Sequence, residues 1–80
     1  MTLPDLDARK QTAEFEALAE KAYDEMYDTR FPAGPYSDLK DFFARAIGAA
    51  ERAGLSDDAK RLTARLQHCI AVYRSQFSSF

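Results

Sequence analysis

The sequence predicts an all-α fold, a small three-helix domain. Two arrangements fit it: an up-down-up bundle, or a helical hairpin with a leading helix, and either is compatible with a dimer. Three observations lead there. Apolar residues recur at spacings of three and four in three separate stretches. Two punctuating segments, "DTRFPAGPYSD" and "AGLSDD", divide those stretches. The third observation is size: 80 residues make one domain, here 1–80, and leave room for little else.

The first helix is expected over about 5–29. Pro4 suits a first helical turn, and Asp5 and Asp7 suit its positive end. Its apolar positions are Ala8, Phe15, Leu18, Ala19, Ala22, Tyr23, Met26 and Tyr27, spread over a wide face. "DTRFPAGPYSD" then reads as a breaker. Pro32 pushes Phe31 toward extended geometry, and Pro35 is expected to do the same to Gly34, so "FPAGP" is read as a bend. Ser37 is the expected N-cap of the second helix, with Asp38 and Asp41 near its positive end.

That second helix, about 38–53, carries Leu39, Phe42, Phe43, Ala46, Ile47, Ala49, Ala50 and Ala53. So broad a stripe predicts two neighbours, with the alanines and Gly48 permitting close approach. Gly54 fits the left-handed position after a helix, Leu55 is placed to cover the helix end, and Ser56 is the expected cap of the third helix. A link this short makes the last two helices an antiparallel hairpin. The third helix, about 57–77, presents a narrower face of Ala59, Leu62, Leu66, Cys69, Ile70, Tyr73 and Phe77, and the tail "SSF" is expected to fray.

Composition narrows the function classes. Eleven basic and thirteen acidic residues give a net charge of −2, which supplies no bulk attraction to nucleic acid or anionic lipid. No apolar run reaches the roughly 18 residues of a membrane span, and "MTLPDLDARK" lacks the basic start and apolar stretch of a signal peptide, so a cytoplasmic protein is expected. One cysteine allows no intrachain disulfide, and one histidine beside it allows no four-ligand Cys/His zinc site. His68 and Cys69 are neighbours about 100° apart on a helix, so they do not chelate together. There is neither a phosphate-cradling glycine loop nor a hydrolase elbow. The expectation is a protein that is not an enzyme and carries no cofactor or metal.

Within "AERAGLSDDAKRLTARL", the segment "AAERAGLS" resembles the first helix and turn of a helix-turn-helix, through Ala50, Gly54 and Leu55. A recognition helix would need apolar residues at Lys60 and Thr63, where this chain has none. The same hairpin resembles a single tetratricopeptide unit, but such units need about three repeats to bury their faces. Neither resemblance assigns a family.

The candidate surface lies on the first helix and the bend. Glu16, Glu20, Asp24 and Asp28 form an i, i+4 acidic series, a solvated face or the site of a basic partner, with Arg65 and Arg74 as candidate cations within the chain. Tyr23 and Tyr27 border it. Phe31 and Tyr36 flank the bend and are expected to pin it to the bundle end. Together Glu16, Glu20, Tyr23, Asp24, Tyr27, Phe31 and Tyr36 define the candidate interaction surface. Tyr23, Tyr27, Val72 and Phe80 are more apolar surface than one obvious core needs. The leading expectation is therefore an interaction or structural module that self-associates. A nucleic-acid accessory protein using the basic edge of the third helix is the alternative, and a small-molecule binder at the bend is the third.

Overall fold

A computed structural model describes the backbone of residues 3–77 and the side chains of residues 6–77. The expected roles of the Pro4 and Asp5 side chains, of the tail and of Phe80 lie outside the described residues. Three helices follow in order: α1 (Leu3–Asp28), α2 (Ala33–Arg52) and α3 (Ser56–Gln76). Among the described residues no strand forms, so the all-α three-helix expectation holds.

The bend is shorter than expected. It occupies only residues 29–32, where the Phe31 N–H donates to Thr29 Oγ1 at 3.2 Å. Pro35 does not break the chain but lies in the first turn of α2, whose first intrahelical bond runs from the Tyr36 N–H to the Pro32 carbonyl at 2.9 Å. The first residues of a helix have no partner for their N–H groups, so a proline among them loses nothing. Ser37 is consequently an exposed residue inside α2 rather than its cap, and no side chain caps that end.

At the other link the expected chemistry is present. Gly54 has φ +73°, the Leu55 N–H reaches back to the Ala50 carbonyl at 2.8 Å, and the Gly54 N–H reaches Glu51 at 3.1 Å. These are the paired bonds of a Schellman ending, and Leu55 packs against the core beneath them. Ser56 is already helical. Leu55 occupies the N-cap position, with no side-chain cap bond, and Asp57 and Asp58 fill the first acidic turn.

The core is built on Met26, Leu39, Phe43, Leu62 and Cys69, all fully buried, with alanines 19, 22, 46 and 50 between them. The wide stripe of α2 serves two neighbours as expected, since α2 packs against both α1 and α3. Thus α1 sits on α2 of its own chain. Its small faces allow close approach, and α2 begins within five residues of the end of α1. Near the end of α2 the Arg52 guanidinium donates to Gln11 at 3.1 Å, and further along Phe15 stacks on Phe42 with ring centroids 6.4 Å apart.

Two departures mark the α1 face. Thr12, polar and unassigned in the sequence pattern, is buried, and its hydroxyl donates to the Ala8 carbonyl at 2.8 Å. A threonine that satisfies itself on the preceding turn needs no other partner in an apolar site. Leu18, read as part of the apolar face, is 42% exposed, and Tyr27, read at its margin, is 48% exposed. They lie at opposite margins of a face wider than α2 and α3 together cover.

Candidate functional site: an ion-pair seam and an aromatic end

Helices α1 and α3 run parallel, both flanking α2, and they meet mainly through side-chain tips. Glu16 and Glu20 rise one turn apart on α1, while Arg61 and Arg65 rise one turn apart on α3. Parallel helices keep a constant offset, so the two pairs superpose. Arg61 donates two hydrogen bonds to Glu16, at 2.6 and 3.1 Å. Arg65 donates two to Glu20, at 2.8 and 2.7 Å. Both are forked guanidinium–carboxylate pairs, the geometry in which arginine outperforms lysine. Asp58 adds a looser contact to Arg61 at 3.5 Å.

These pairs set the local titration. The hydrogen bond from Arg61 holds the Glu16 carboxyl below its ordinary value against the opposing effect of burial, and both guanidiniums are held more firmly charged by their carboxylates. Arg65 also lies 4.8 Å over the Tyr23 ring. The Tyr23 hydroxyl is 3.1 Å from that of Tyr27, and this bond, with partial burial, pushes Tyr23 up to about 12.

From Tyr23 the contacts continue as a run of rings across one end of the molecule. Tyr27 meets Tyr23 edge-on at 5.4 Å and Phe77 at 5.5 Å. Phe77 meets Tyr73 at 5.9 Å, and Tyr73 meets Tyr36 at 3.7 Å. Lys40 caps the run, 4.4 Å above Tyr36. All three helices contribute a ring, so the run ties the end of the bundle as well as facing solvent.

The seven candidate residues therefore divide. Glu16, Glu20, Tyr23 and Tyr27 come together in the seam, and Tyr36 joins them through the ring series. Asp24 is exposed and makes no ion pair among the described residues. Phe31 is 79% exposed and stands on the link away from the core, so it does not pin the bend; Tyr36 alone does that. Arg65 meets the acidic series as expected, but its companion is Arg61 rather than Arg74. The signal for Arg61 was present in the sequence, since both helices carry their charges four residues apart.

A second feature lies on the opposite side of α1, unanticipated by the sequence reading. A groove of about 650 Å3 runs between α1 and α2, lined by Glu14, Phe15, Leu18, Ala44, Arg45 and Gly48, with the Gln11–Arg52 bond at one end. Gly48, expected to allow close helix packing, opens onto this groove instead. A Cβ there would meet only Arg52 Nη1, at 3.6 Å.

Cys69 is buried, and burial pushes its thiol up. Among the described residues no three His, Cys, Asp or Glu side chains gather as metal ligands, and no helix is long and apolar enough to cross a membrane. Comparison of the chain with protein-family models, with curated proteins and with solved structures found no match.

Proposed function

We propose that this chain is a non-catalytic, cytoplasmic interaction module whose partner is a second copy of itself. The observation that carries this reading is the placement of large apolar side chains in water: Leu6, Leu18, Tyr27 and Phe31 are 57%, 42%, 48% and 79% exposed. Leu18 lines a groove, and Tyr27 belongs to a ring cluster, so these two are parts of surfaces rather than scattered residues. Tyrosine and phenylalanine are favoured in the centres of protein interfaces.

The alternative, a nucleic-acid accessory role for the α3 edge, needs cations free to meet phosphate. Arg61 and Arg65 are both engaged by carboxylates of α1, which supports the protein reading. Sedimentation equilibrium from about 10 µM to about 1 mM tests it, a range that brackets weak homodimers. The expected mass rises toward twice 9.0 kDa with concentration. A mass of 9.0 kDa throughout overturns the proposal.

A further inference from the structure

We draw no further inference here: the strongest candidate, the groove between α1 and α2 lined by Phe15, Leu18, Ala44 and Gly48, carries none, because Arg45 at its wall is already paired with Asp41, Arg52 at its end is bonded to Gln11, and nothing in the structure shows what covers it.

Discussion

Glu16 shows how one residue's surroundings reach its titration. Its carboxylate accepts two bonds from Arg61, and the depressed ionisation that follows has a definite sign. A carboxyl held below its unfolded value stabilises the fold above that value and loses the contribution as the pH falls through the folded one. The Glu16 contribution is therefore complete at neutral pH and is lost below the ordinary carboxylate value of 4.5. Carbonyl NMR titration should give Glu16 a midpoint below that value in the wild type and close to it in Arg61→Gln. An unchanged midpoint would mean the pair does not form in solution. The pair is partly exposed, so its net worth is expected to be no more than about 1 kcal/mol and to shrink in salt. Sequence alone placed the acidic series but not its outcome: the axes of α1 and α3 decide that Glu16 and Glu20 turn inward to arginine while Asp24 turns outward.

At the scale of the element, two glycines carry opposite expectations. Gly54 holds φ +73° in the turn after α2, where a side chain is strained, so Gly54→Ala should destabilise the protein by about 1 kcal/mol. Gly48 lies inside α2 with ordinary helical backbone and open space, so Gly48→Ala should stabilise it by about 0.5–1 kcal/mol. Urea unfolding at low micromolar concentration checks both, and effects of the same sign would contradict this account of the two positions. The Gly54 turn was legible because glycine, an apolar residue and two acids follow one another in the order of one known ending. The start of α2 was not. Pro35 and Ser37 each have a common role at a helix boundary, and both roles pointed to a later start. What overrode them was that proline is equally acceptable inside a first turn, and no local preference separates those two placements. The core face of α1 was read correctly in its alanines and Met26. It was overextended to Leu18 because periodicity gives the angular width of a stripe but not how many neighbours cover it.

For the molecule as a whole, stability rests on few large side chains. Phe43 is fully buried at the centre of α2, and its loss leaves a cavity among residues from all three helices. Phe43→Ala should cost about 3–5 kcal/mol and lower the melting temperature by at least about 12 °C. A drop of only a few degrees would mean the core is looser than described. Cys69 offers an independent readout, because its thiol is buried and its ionisation is suppressed by that burial. Its reaction with a thiol reagent should be blocked in the native protein and should accelerate in Phe43→Ala in proportion to the open population. Equal rates in the two proteins would show that Cys69 is reached without unfolding.

All four tyrosines, at positions 23, 27, 36 and 73, belong to the ring series at one end, and the chain has no tryptophan. Intrinsic emission and near-ultraviolet dichroism are therefore local instruments: they see where α1 gives way to α2 and are blind to the Gly54 turn. Should the molecule fray from that turn first, far-ultraviolet ellipticity would fall while the tyrosine signal held steady. The gap between the two melting curves would then measure how far the ends of this small bundle unfold independently.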